Sequence, residues 1–193
     1  IAITHSVFNI TATLVWLPFS NLLVKLACLT IRDDKVDEVS REDQEFMILE
    51  SRFLEKPAFA VEQGRNAAKH MEQDSRKILD IALGLIYSYS DEQAERVQKL
   101  ESKIDRYEDE LGTYLVKLNN KDLSERDSHS VSIMLHCIGD FERISDHAVN
   151  IMESAQELHE KNISFSPQAR NELQVLIAVV SRIVDTAYQV FDK

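Results

Sequence analysis

Apolar residues along the chain form one nearly continuous block, then a charged stretch, then a series of periodic runs. From Ile1 to Ile31 the block is broken only by His5, Asn9, Asn21, Lys25 and several small hydroxyl residues. Val7 to Val24 with its flanks meets the roughly 20 residues needed for one bilayer crossing. The basic start and small-residue cleavage site of a secretion signal are missing. Residues 1–31 are therefore expected to form a membrane helix, the last one of a larger protein. A helix buried in a soluble bundle or against a partner is the alternative, which His5, Asn9 and Lys25 would suit. From Arg32 the composition turns abruptly to charge, which predicts a solvated linker over 32–56. Phe46, Ile48, Leu49, Phe53 and Leu54 return apolar residues near its end, and these could dock the linker onto the region after Pro57.

Pro57 opens a region of helical periods. Val61, Ala68, Met71, Ser75, Ile78, Ala82, Leu85 and Tyr89 share one face of a first helix from about Pro57 to Tyr89. Ser90 and Asp91 offer a cap for a second, to about Leu118, whose Val97, Leu100, Ile104, Tyr107, Leu111, Tyr114 and Leu118 recur in threes and fours, the pattern of a bundle seam. Asn119 to Asp122 form a turn, and Ser124 with Asp127 begins a third helix reaching about Lys161. After Ser166-Pro167 a fourth begins near Gln168 and continues to the last residue. The fold class is all-α, an antiparallel helical bundle over 57–193 preceded by the apolar helix. A chain that starts at Ile1 and stops within a helix is expected to be a fragment.

Composition sharpens this picture. Only 4 Gly and 3 Pro occur in 193 residues, too few for a sheet with its turns. The formal net charge of -11, with no basic cluster standing apart from acids, excludes a nucleic-acid-binding face and points toward cations. Cys28 and Cys137 lie far apart and form no Cys-x-x-Cys pair, so both are expected to be reduced packing residues.

The candidate chemistry lies in two acidic stripes. In the run Asp140 to Glu153, Glu142, Asp146, Asn150 and Glu153 fall on one stripe of a helix. The adjoining face carries Ile138, Phe141, Ser145, Val149 and Met152, so the acids border a core. Glu101 and Asp105 repeat the Glu-x-x-x-Asp spacing on the second helix, with Glu108 three residues on. The i, i+4 spacing lets each pair share an ion, and antiparallel neighbours would bring four carboxylates together. Such hard oxygen ligands suit Mg, Ca, Mn or Fe. The competing reading is a set of surface acids paired with Lys103, Arg106 and Arg143, each pair contributing about 0.2–1 kcal/mol. The two Glu-x-x-His repeats of a ferritin-like di-iron site are missing, and so are a nucleophile with its base, a Gly-rich phosphate loop and a His-Glu-x-x-His pattern. No catalysis is expected. His147 is expected to face solvent.

The stretch Asp140-Phe-Glu-Arg-Ile-Ser-Asp-His-Ala-Val-Asn-Ile-Met-Glu153 closely resembles the signature of PhoU-like domains, and Leu100-Glu-Ser-Lys-Ile-Asp-Arg-Tyr-Glu108 is similar to the companion motif. Ser145 replaces the usual Gly and Phe141 the usual Leu, and neither removes a ligand. The resemblance implies metal binding, including iron clusters, at Glu101, Asp105, Glu142 and Asp146. Ile1 to Asn9 with Leu17-Pro-Phe19, followed by Lys56-Pro-Ala-Phe-Ala-Val-Glu-Gln63, resembles the join between the last membrane helix and the cytoplasmic PhoU-like domain of bacterial sodium-dependent phosphate cotransporters. It implies one PhoU-like three-helix repeat plus the start of a second. The implied function is regulatory or accessory, without enzymatic activity, in a domain on the cytoplasmic side of the inner membrane. The implied partners are the membrane, through residues 1–31, the rest of the transporter, and a further copy in a homo-oligomer. A metal-free helical interaction or oligomerisation module is the alternative.

Overall fold

A computed structural model describes residues 45–191, together with Phe8. The membrane helix expected over 1–31 and the first part of the charged linker, Phe8 apart, lie outside the described residues. Four long helices account for most of the rest: α1 (Pro57–Leu85), α2 (Asp91–Asn119), α3 (Glu125–Glu160) and α4 (Pro167–Phe191). No strand occurs among the described residues, as the scarcity of Gly and Pro predicts.

Local chemistry sets the helix ends. Pro57 starts α1, where its missing N–H costs nothing and its fixed φ suits the helix. The α1 expected to reach Tyr89 stops at Leu85. Ile86 to Tyr89 form the connection, with the Tyr87 and Ser88 amides both donating to the Gly84 carbonyl at 3.1 and 3.2 Å. Asp91 and Glu92 place negative charge in the first turn of α2. The Ser124 hydroxyl caps α3 by accepting from the Asp127 amide at 3.2 Å. At the other end of α3, Asn162 takes a left-handed φ of 53°. The Ile163 amide then reaches back to the Leu158 carbonyl at 2.9 Å and the Asn162 amide to that of His159 at 3.1 Å, a Schellman-type stop.

Helices α1, α2 and α3 pack on one another as a three-helix bundle. Contacts between Arg65 and Ser130 near one end, and between Ser75 and the Phe141 carbonyl further along, show that α1 and α3 run in the same direction. The short connections make α2 antiparallel to both. Met71, Ile78, Ile104, Tyr107, Leu111, Leu118, Val131 and Met152 are fully buried at the centre. Removing each large apolar side chain from water stabilises the fold by about 1.5–3 kcal/mol. Gly64 leaves room for α2 against α1, since a Cβ there would lie 3.0 Å from Leu115 Cδ2.

The end of the charged spacer belongs to this unit. Two short 3-10 helices, Met47–Leu49 and Ser51–Glu55, lie ahead of α1 and pack on it. Phe46 and Leu54 are buried. The Phe46 ring packs 4.5 Å from that of Tyr107, and its other neighbour is the Arg106 guanidinium, 4.1 Å from the ring centre. The apolar residues before Pro57 thus dock the spacer onto the bundle, and the folded unit begins well before Pro57.

Helix α4 runs antiparallel to α1 on the outside of the bundle. It is held by the Tyr188 hydroxyl against Ser75 Oγ (3.0 Å), by the Arg76–Asp185 ion pair, and by edge contacts of Phe141 with Tyr188 and Phe191. Tyr188 is its one buried residue, while Val175 and Ile183 are 66% and 64% exposed. By length and composition α4 could cross a membrane.

Candidate metal centre

The antiparallel packing of α2 on α3 turns the two Glu-x-x-x-Asp pairs toward each other. On α2, the buried Ile104 and Tyr107 anchor the helix beside Glu101 and Asp105. On α3, the buried Phe141 and Ser145 do the same beside Glu142 and Asp146. One carboxylate oxygen from each of Glu101, Asp105 and Asp146 lies within 4.8 Å of the others. Two oxygens held about 2.3–2.6 Å from one calcium-sized ion can stand up to about 5 Å apart. The spacing is therefore that of ligands to a single hard cation. Glu142, the fourth expected ligand, does not join this triad at the same spacing; it flanks the group, close enough for the charge of Asp146 to act on its carboxyl.

The electrostatics are those of mutually repelling acids. Burial raises the Glu101 carboxyl, and the charges of Asp105 and Asp146 add to the shift. Burial and then Asp146 and Asp109 raise Asp105. Glu142 is raised by burial and by Asp146, Asp105 and Glu108. The bases that could neutralise these acids are engaged elsewhere. Lys103 contacts Glu45 at 2.7 Å and Asp74 at 2.8 Å, Arg106 contacts Glu110 at 2.7 Å, and Arg143 lies 3.7 Å from Asp140. None of the four acids forms an ion pair among the described residues. The donor set thus fits a hard divalent or trivalent ion, in its all-oxygen chemistry and in its uncompensated charge.

Other residues of the two stripes stand aside. The Asn150 amide donates to the Asp146 backbone carbonyl at 3.0 Å, and Glu153 is exposed. His147 is exposed. Cys137 is a half-buried free thiol pushed up by burial and by Asp140, and Cys28 lies outside the described residues.

A second polar group was not foreseen. The Lys103 ammonium sits between Glu45 and Asp74, and the Tyr107 hydroxyl donates to Glu45 at 2.9 Å. Burial alone would raise the Glu45 carboxyl, but the Lys103 and Tyr107 hydrogen bonds outweigh it and hold it low. Burial would likewise lower Lys103, and its two carboxylates raise it instead. This network ties the spacer to α1 and α2. Its sequence signal was the placing of Lys103 beside the seam residue Ile104.

Fold and site together define an all-α bundle whose distinctive chemistry is a carboxylate cluster shared by two consecutive helices. Residues 68–155, which span most of α1, all of α2 and nearly all of α3, match the model of the PhoU domain. PhoU domains are helical regulatory domains of phosphate homeostasis. The matched region includes all four acids. No curated protein and no solved structure matches the chain.

Proposed function

We propose that this chain is the regulatory, non-enzymatic part of a bacterial sodium-dependent inorganic phosphate transporter, lying on the cytoplasmic side of the inner membrane. Glu101, Asp105 and Asp146, with Glu142 in support, would hold a hard cation such as Fe, Mn, Mg or Ca. The observation that carries the metal part is the convergence of three carboxylates from two helices. A bound cation would supply positive charge at the α2–α3 seam. The chain's own acids set the sign of the response: they push the two helices apart when uncompensated and draw them together when neutralised. A shift in helix packing of this kind can bias an attached transporter only through a difference in affinity between its two states. Transport, sodium coupling, and contact with the membrane, the transporter core and a second copy rest on the resemblance of the segments around Asn9 and Lys56.

The test is elemental analysis of protein purified without chelator, beside an Asp105→Asn/Asp146→Asn variant. The wild type should carry metal in excess of the variant, and equal contents would refute the ligand assignment. In the full-length protein, a reporter fused after Ile31 should remain with membranes, and its release into the soluble fraction would refute the membrane attachment. The exposed apolar face of α4 favours a second reading, a metal-free helical interaction or oligomerisation module. In that case the Asp105→Asn/Asp146→Asn variant would keep its oligomeric state and its effect on transport.

A further inference from the structure

At the end of the bundle away from Gly64, the α1–α2 connection and the α3–α4 loop line an open pocket of about 380 Å³. It lies about 15–20 Å along α2 and α3 from the carboxylate cluster, at 1.5 Å per helical residue. Its walls include Tyr87, Tyr89, His159, Phe165, Ser164 and Arg170. The Tyr89 and His159 rings stack 4.9 Å apart at 24°. On another wall the Arg170 guanidinium lies 5.7 Å from the Tyr87 ring centre, and no carboxylate pairs with it among the described residues. The Tyr87 hydroxyl is buried and has no hydrogen-bond partner among the described residues, a state that leaves its lost hydration unrepaid.

These features are those of a ligand pocket rather than of a packing defect. The rings of Tyr87, Tyr89, His159 and Phe165 offer faces and edges to a flat partner, and the Arg170 guanidinium offers a planar fork for an oxyanion. The charge is also polarised. Asp91 and Glu160 act on the Tyr89 side, where burial and then Asp91 push the phenol up. Arg170 supplies the positive side. A flat ring with amino or N–H groups fits the acidic side, and an anionic group fits the arginine. The volume is at the lower end of the range for small-molecule sites, about 300–1,000 Å³, which fits one base with its sugar and phosphate.

We propose that this pocket binds a mononucleotide, with the base against the Tyr89–His159 pair and the phosphate on Arg170. Because Arg170 stands on the first turn of α4 while the tyrosines belong to the α1–α2 connection, the ligand would tie α4 to the bundle. The Schellman stop at Asn162 fixes the loop that carries Ser164 and Phe165 between them. This site is independent of the proposed metal centre, and either can fail without the other.

The test is calorimetric titration of the full chain with AMP, with adenosine and with inorganic phosphate. AMP should bind saturably, at least tenfold more tightly than either fragment. Arg170→Met should weaken AMP at least tenfold and leave adenosine unchanged, and Tyr89→Leu should weaken AMP and adenosine alike. Circular dichroism melts of both variants should match the wild type, since Arg170 is exposed and Tyr89 lies in a connection. Asp105→Asn should leave AMP binding unchanged. No saturable AMP binding, inorganic phosphate binding as tightly as AMP, or AMP affinity unmoved by Arg170→Met would each overturn the proposal.

Discussion

Replacing Asp105 by Asn should stabilise the metal-free protein, although it removes a residue of the site. Asp105 shares a space of 4.8 Å with Glu101 and Asp146, and its carboxyl is raised by burial and by Asp146. Two unit charges that far apart repel by about 0.9 kcal/mol at the dielectric constant of water. The Debye length of about 8 Å at physiological salt exceeds this distance, so roughly half of the repulsion survives. Two such neighbours give a stabilisation of about 1 kcal/mol for Asp105→Asn, or about 2–4 °C in Tm for a unit of this size. The pH dependence has a definite sign. A carboxyl whose folded pKa stands above its unfolded value destabilises the fold above the folded pKa, and that cost is relieved as the pH falls through it. The advantage of Asn should therefore be full at neutral pH and fade toward the unfolded aspartate value of about 3.9.

Urea melts in EDTA across this pH range measure the difference directly, and melts with an added divalent ion should reverse it. At a concentration of 100 times Kd, a ligand held only by the folded state stabilises it by about 2.7 kcal/mol. The wild type should gain that amount and the variant much less. A variant that is less stable than the wild type in EDTA, or a difference that does not change with pH, would refute the picture of an uncompensated acidic cluster.

The same packing sets three further outcomes. Lys103→Met leaves the 15%-exposed Asp74 side chain facing Glu45 with no cation between them, and should cost about 2–3 kcal/mol in urea melts. The stability that Lys103 contributes, its pKa being raised, should persist up to the unfolded lysine value near 10.4 and be lost above it. Ser145→Ala removes a buried hydroxyl that has no partner among the described residues and should stabilise the fold by about 0.5–1.5 kcal/mol, read as a higher urea midpoint at unchanged slope. Gly64→Leu forces bulk against Leu115 and should cost about 1–3 kcal/mol, seen as a lower Tm.

The parts of this structure that were legible in the sequence are those decided by local spacing. Val97, Leu100, Ile104, Tyr107, Leu111, Tyr114 and Leu118 formed the seam of α2 because a three-and-four rhythm can bury only one helix face, and all seven are buried. The facing of Glu101 and Asp105 toward Asp146 followed from the same rhythm once α2 and α3 were antiparallel. Properties that depend on a partner distant in sequence were not legible. Lys103 was read as a partner for the acids of its own helix, but it stands two residues from both Glu101 and Asp105 and so lies on another side of α2. There it meets Glu45 of the spacer and Asp74 of α1, neither of which is near it in sequence. Helix α2 therefore presents a base to the spacer and α1 and its acids to α3, so the docking of the stretch read as a linker and the carboxylate cluster are separate uses of one helix. Glu45→Gln should lower the urea midpoint by weakening the first and leave cation binding at the second unchanged; a loss of cation binding in that variant would refute the separation.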